Sequence, residues 1–274
     1  MKVVLLLVAI FLVLILVCSN RRFWNIQRFG TLRVSKVEAY EKSVIPKNVY
    51  QTYNRYMIPE IRELVEANMK ISPEYVFNLF DEKDRREFIQ SHFDERVSNA
   101  YVKINPKFAA AQADFWRFCV LYDKGGVYMD DKMRLDKDLD TVIRPDDVAI
   151  LDLPRRLEKW RKEPTYEQGV LIFSKKHPYL RCMIEDMVTN IERGYVPECD
   201  QTSPTTCAKQ RILKLTGPDA FAASIRRAVR ECGENHRSVD YNSFVKVDSS
   251  LRDKQYRQTG LKHYSLMDDE KLYV

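Results

Sequence analysis

AAAQADFWRFCVLYDKGGVYMDDKM, residues 109–133, decides the fold. It reads in three pieces. The first is a helix over 107–123, apolar on almost every face and interrupted only by Gln112, Asp114 and Arg117. A helix that is apolar all round is buried, and a buried carboxylate or guanidinium is costly without a partner. The second piece, Gly125-Gly126, is a sharp stop of the kind that ends a helix on a left-handed residue. The third is a short strand over 127–133 carrying three consecutive charges, Asp130, Asp131 and Lys132. Charges at the end of a strand that follows a buried helix are a usual way for an α/β fold to present chemistry at its sheet edge. Asp114 and Arg117 are also three apart, so pairing with each other on one helix face stands beside a grip on a ligand.

On the N-terminal side, VIPKNVYQTYNR predicts a first strand over 48–53, begun by Pro46. Residues 57–69 read as an amphipathic helix with Ile58, Ile61, Leu64 and Val65 on one face. A second strand covers 75–80, and Asp81 caps the charged helix behind it, with Asp84 favourable in the first turn. Phe88, Phe93, Val97, Tyr101 and Ile104 carry the apolar face on to Asn105-Pro106. On the C-terminal side, acidic residues 136–140 precede a short helical turn and 147–153 reads as a strand. A basic loop with Trp160 follows; a lid beside a ligand and a solvated loop are equal readings of it. Strand 166–174 has a polar head, Glu167-Gln168. Pro178 starts a helix to about 193, short helices cover 209–217 and 219–231, and 239–247 alternates as a late strand. Strand–helix alternation of this kind predicts an α/β fold, a mixed, mostly parallel sheet with helices on both faces.

The 274 residues allow one large domain plus an anchor. The net charge of +6 is spread along the chain without a nucleic-acid motif, so no nucleic-acid partner is expected. After Lys2 an unbroken apolar run extends from Val3 to Cys18 and is closed by Ser19, Asn20, Arg21 and Arg22. It is shorter than the roughly 20 residues of a full span. Its density in Leu, Val and Ile favours a transmembrane signal-anchor over 1–19, with a cleaved signal peptide as the other reading. Residues 20–43 form a basic stem. Six cysteines are too few for a disulfide scaffold; Cys199 and Cys207 flank one loop, and a disulfide and two free thiols are even alternatives.

The central stretch resembles the sugar-binding region of glycosyltransferase family 32, which includes fungal α-1,6-mannosyltransferases of the Golgi and capsule-type transferases. Ala113, Asp114 and Arg117 match its first half, and Gly125, Gly126, Tyr128 and Asp130 its DXD half. Lys132 departs from it, standing where the family has its second acid. Ile45, Pro46, Lys47, Gln51 and Tyr53 match the I-P-K-x-x-x-Q-x-W/Y run that begins family domains. The resemblance implies a single GT-A type domain over 44–274, behind the membrane anchor, with its catalytic domain in the lumen of the Golgi or endoplasmic reticulum. It implies a hexosyltransferase moving a sugar from a nucleotide sugar to a hydroxyl of a glycan or glycolipid, with retention of configuration; the alternative is an inactive relative that binds glycans or a partner. Mannose, glucose, galactose and N-acetylglucosamine fit equally.

The same resemblance supplies roles. Asp130, Asp114 and Arg117 are the catalytic candidates. Donor binding would draw on Gln51, Tyr53, Tyr128, Lys132, Lys262 and His263 as well, and Glu167, Gln168 and Trp160 are acceptor-side candidates. A divalent metal, manganese for preference, would be held by Asp130, Asp131 and His263. Along a strand Asp130 and Lys132 share a face and Asp131 points away, which puts an ammonium, unable to ligate a cation, at the second acidic position. Either Lys132 neutralises the diphosphate directly, or the strand ends early and Asp131 turns inward.

Overall fold

The computed structural model describes residues 44–53, 57–154, 163–203, 205–259, 263–267 and 270–274. The anchor over 1–19, the stem over 20–43, Trp160 and Lys262 lie outside the described residues. Among those described, no helix is long and apolar enough to cross a membrane.

The sheet is mixed and mostly parallel, as the alternation predicts. Strand β1 (Asn48–Thr52) lies between β2 (Val76–Phe80) and β3 (Gly126–Met129), parallel to both. Next to β3 comes β6 (Val170–Phe173), which runs against it, then β5 (Ala149–Asp152), antiparallel to β6, and β7 (Arg237–Val239), parallel to β5. Thus β6 alone is reversed. A separate antiparallel pair joins β4 (Met133–Leu135) to β8 (Val245–Val247).

Side chains alternate along a strand, so a strand buried on both faces is apolar throughout. Val127 and Met129, with Val170 and Ile172, enter one core cluster, together with Ile61, Leu64 and Val65 of α1 (Pro59–Ile71). Tyr128, Leu171 and Phe173 enter the other, with helices α2 (Glu82–His92), α3 (Glu95–Lys103), α4 (Ala109–Lys124), α5 (Pro178–Glu192), α6 (Cys207–Leu215) and α7 (Pro218–Cys232). Asp81 caps α2 as expected, and Asp84 returns the bond to complete a capping box.

Three expectations need correction. The central strand ends at Met129 rather than 133; residues 130–132 are a turn, and Met133 begins β4 in the other sheet. The Asp130 N–H donates to the Gly169 carbonyl at 2.7 Å and the Met133 N–H to the Asp130 carbonyl at 3.0 Å, which bends the chain there. The strand face shared by Asp130 and Lys132 therefore does not exist. The strand expected over 166–174 forms only from Val170, with Glu167 and Gln168 in its irregular approach. The late strand over 239–247 is two strands, β7 and β8, in different sheets, separated by a 3-10 turn at Tyr241–Ser243.

Candidate active site

Strand order places the site. From β1 the chain crosses to β2 on one side, and β3 pairs on the other, so the ends of β1 and β3 border a topological switch point, where open α/β sheets bind ligands. Gln51 lies near the end of β1 and Asp130 just past β3, and Gln51 Nε2 donates to the Asp130 carbonyl at 3.4 Å. Reversal of β6 supplies the third side. Met129 pairs with Val170, so residues 167–169, leading into β6, arrive beside Asp130.

Helix α4 supplies the floor. It ends at Gly125 and Gly126, with φ of +66° and +107°, and a Cβ on Gly126 would stand 2.6 Å from the Asn48 carbonyl oxygen. Only glycine meets both demands. The sharp reversal lays α4 back along β3. Seven helical residues from Lys124 to Arg117 rise about 10 Å, and β3 covers a similar length of about 10 Å over its three steps. Arg117 therefore meets the far end of the strand.

There the Arg117 guanidinium is the hub. It is 2.6 Å from Asp114 Oδ1 and 3.4 Å from Asp130 Oδ1. It also donates to the Gln168 carbonyl at 2.7 Å and stacks over the Tyr128 ring, 4.5 Å from its centroid. The Tyr128 hydroxyl donates to Asp130 Oδ1 at 2.6 Å, and the Thr216 hydroxyl to Asp114 Oδ2 at 3.0 Å. Asp114 and Arg117 are buried, whereas the Asp130 side chain is 41% exposed. The cluster thus runs from a sealed floor to an open acid.

Its electrostatics follow from burial. Burial pushes the Asp114 carboxyl up to about 6, against the pull of Arg117 and the Thr216 hydroxyl. For Arg117, burial works against the charge, but Tyr128, Asp114, Asp130 and Glu167 outweigh it and its pKa goes up. Burial holds the Tyr128 phenol well above its usual range, so it remains a donor to Asp130. Three buried polar atoms, Arg117 Nε, Gln168 Nε2 and Gln51 Oε1, have no hydrogen-bond partner among the described residues. Buried polar atoms are rarely left so, and a bound polar molecule is one way to satisfy them.

Asp131 and Lys132 are arranged differently. Lys132 Nζ is 3.3 Å from Asp131 Oδ1, and Gln255 of α8 (Ser249–Thr259) donates to Asp131 Oδ2 at 3.3 Å. Asp131 is buried, which raises its pKa despite Lys132. His263 Nδ1 lies 2.6 Å from Ser265 Oγ, in the turn that opens the 3-10 segment Tyr264–Leu266. No group of three or more His, Cys, Asp or Glu side chains able to hold a metal occurs among the described residues. Asp130, Asp131 and His263 are therefore not gathered as a ligand set. Asp130 alone fits a divalent ion: Tyr128 and Arg117 both engage its Oδ1, leaving Oδ2 as the oxygen it can offer.

The other expected residues divide. Gln51, Tyr128, Glu167 and Gln168 join the cluster or its rim; Glu167 Oε1 accepts from the N–H groups of Gln168 and Gly169, both at 2.9 Å, and so shapes the turn. Tyr53 sits instead at the β1–β2 edge, its N–H on the Phe80 carbonyl and its carbonyl on Arg85. Two contributors escaped the sequence reading. Thr216, at the turn between two helices, is the partner of Asp114. Gln255 gave no local signal at all.

Residues 59–149 match the family described as "Glycosyltransferase sugar-binding region containing DXD motif". This segment is similar to DXD-type glycosyltransferase regions. The family 32 resemblance read from the sequence is thereby upheld. The inositol phosphoceramide mannosyltransferase 3 of Schizosaccharomyces pombe (strain 972 / ATCC 24843) is 24% identical over 156 residues, 56% of this chain and 40% of that protein. The match thus spans about two fifths of the curated relative's length. Among solved structures, the PaToxG glycosyltransferase is 16% identical, with 84% of this chain and 81% of that one covered and a TM-score of 0.47. The ligand-free glycosyltransferase domain from the YGT toxin is 10% identical, with 72% and 80% covered and a TM-score of 0.48.

Proposed function

We propose that the chain is a GT-A type hexosyltransferase that moves a sugar from a nucleotide sugar to a hydroxyl of a glycan or lipid, with retention of configuration. The observation that carries this reading is the hub at Arg117, a buried guanidinium between two carboxylates at the sheet's switch point, with unsatisfied polar atoms around it. Asp114 and Arg117 take the donor sugar's hydroxyls, Asp130 the sugar or ribose, and Gln51 the nucleoside side. Glu167 and Gln168 face the acceptor, with Trp160 as a further acceptor-side candidate, and Lys132, Lys262 and His263 serve the diphosphate.

In the transfer, the bond from the anomeric carbon to the phosphate oxygen breaks and a bond to the acceptor oxygen forms on the same face. The acceptor's proton leaves with the diphosphate. Negative charge grows on that leaving group, so fixed cations stabilise the transition state. A divalent ion, manganese for preference, would supply the same stabilisation when bound, held by Asp130. Since a named relative is a mannosyltransferase acting on an inositol phosphoceramide, a mannose nucleotide and a phosphoinositol lipid are the first pair to try. We further propose that residues 1–19 anchor the protein in a secretory membrane, with residues 44–274 in the lumen.

The test is a panel of nucleotide sugars against the full-length protein, reading released nucleotide, with Arg117→Met as the blank. Hydrolysis or transfer of one donor, lost in the blank, is expected. Lys132 at the second acidic position favours the second reading, an inactive glycan-binding relative. Glycan binding with no donor turnover would establish that one instead.

A further inference from the structure

We propose that Cys199 and Cys207 are an oxidisable pair that closes the loop before α6 as a disulfide. The described cysteines otherwise sit apart from such chemistry. Cys119 is sealed in the core of α4. Cys182 is buried on α5, its Sγ 3.9 Å from Glu231 Oε2, and Cys232 is exposed at the end of α7. Cys199 and Cys207 stand at the two ends of one loop, both half-buried, and the Cys207 thiol adds to burial in raising the pKa of Cys199.

Gln210 holds the two ends of the loop between them together, and Gln201 Nε2 donates to Cys207 Sγ at 3.4 Å. Gln210, buried one turn inside α6, reaches back across the loop mouth. Its Oε1 accepts from the Asp200 N–H at 2.8 Å, and its Nε2 donates to the carbonyls of Asp200 at 2.9 Å and Thr205 at 2.8 Å. Asp200 Oδ1 accepts from the Thr202 N–H at 2.9 Å and from its hydroxyl at 2.6 Å, which tightens the bend. Thr206 caps α6, whose first residue is Cys207. Gln210 thus ties Asp200, next to Cys199, to Thr205, two residues before Cys207, and keeps the cysteines' ends of the loop near each other. A bond here closes a short ring and removes freedom from the unfolded chain.

The chemistry balances with a small disulfide, such as oxidised glutathione, as oxidant. One cysteine thiolate attacks it and releases one glutathione thiol. The second cysteine then displaces the other glutathione, forming the Sγ–Sγ bond; two protein thiols lose two electrons and two protons, and the oxidant gains them.

Full-length protein is equilibrated with oxidised glutathione, alkylated, digested and mapped by mass spectrometry, and its melting temperature is read before and after reduction. The expected product is a peptide joining Cys199 to Cys207, with two fewer alkylated thiols than the six in the reduced chain. A melting temperature higher by a few degrees in the oxidised form is expected, and reduction should abolish the gain. Cys199→Ser and Cys207→Ser should each remove the reductant-sensitive shift, while Cys182→Ser and Cys232→Ser keep it. If either serine variant fails to fold, the wild-type peptide map and melting shift still decide. Two alkylatable thiols at 199 and 207 after oxidation, stable glutathione adducts on them, or a bridge from Cys182 to Cys232 would overturn the proposal. These readouts need no sugar transfer, so they stand apart from the proposed activity.

Discussion

Asp114 and Arg117 sit three apart on a regular helix, whereas Asp131 and Lys132 are neighbours in a turn between two sheets. Both acids are buried and both have a cation beside them. The first pair is knitted to Asp130, Gln168, Tyr128 and Thr216 and forms part of the floor. The second has a partly exposed lysine and one added tie, from Gln255. A pair fixed by helix geometry can be both structural and chemical. A pair fixed by a turn depends on whatever holds the turn.

The largest expected effect comes from removing the hub. Arg117→Met leaves two carboxylates facing each other without their shared cation. Breaking a buried pair in this way costs about 3–5 kcal/mol, so the melting temperature should drop sharply and donor turnover disappear. Arg117→Lys keeps a charge without the planar fork; it should melt between the two and turn over poorly. A wild-type melting curve for Arg117→Met would break the claim that the floor is a self-supporting network.

Asp114→Asn separates chemistry from stability on the same floor. The Asp114 carboxyl titrates near 6, above its unfolded value. The folded state therefore holds that proton more tightly. The associated stability is present at low pH, declines as pH rises from about 4 to about 6, and is absent above. At pH 7 the charge is thus a burden of at most about 3 kcal/mol, and an amide should leave the melting temperature nearly unchanged. Turnover should nevertheless fall by about a hundredfold or more, the scale of losing one preorganised polar contact. In the wild type, turnover should decline below about pH 6, and that limb should vanish in the variant. A variant that melts much earlier yet keeps its turnover would reduce Asp114 to a structural partner.

Lys132 tests the other pair. Lys132→Ala should weaken donor binding by about tenfold, the effect of about 1.4 kcal/mol, with a small change in melting temperature. Lys132→Asp restores the family's second acid and should increase the dependence of donor hydrolysis on manganese. Full wild-type activity in excess chelator would defeat the metal reading. Unimpaired Lys132→Ala would remove the lysine from the donor site.

How far each pair could be read from the sequence follows the same division. The spacing of Asp114 and Arg117, the double glycine and the capping box at Asp81 are local, and local geometry fixed them. The end of β3 is not local. It falls at Met129 because β6 begins at Val170 and the Gly169 carbonyl takes the next N–H. The split of residues 239–247 likewise reflects β4, more than 100 residues earlier, claiming β8. Thr216 reaches Asp114 across 102 residues. Helix α8, SSLRDKQYRQT, is polar nearly throughout and shows no apolar stripe to announce it.

Gln255 carries the smallest prediction and the most specific one. It is the only hydrogen bond to Asp131 from outside the turn given among the described residues. The Lys132 carbonyl also accepts from the Asp248 N–H at 2.8 Å, so the segment around α8 grips the turn twice. Gln255→Ala removes a bond to a charged group, worth about 1.5–3 kcal/mol when fully formed; at 3.3 Å the lower end applies. A loss of about 1.5 kcal/mol lowers the melting temperature by about 3–6 °C in a domain of this size. The donor KM should rise a few-fold with kcat nearly unchanged, because the turn loosens while the Arg117 floor stays intact. The pH limb near 6 should be unmoved, since Asp114 belongs to the other pair. Gln255→Glu should be worse than Gln255→Ala at neutral pH and closer to it as the pH falls, because burial raises the Asp131 pKa and a shared proton relieves the repulsion. If Gln255→Ala leaves both KM and melting temperature at wild-type values, the turn holds itself, and the contrast between the two pairs lies only in their burial.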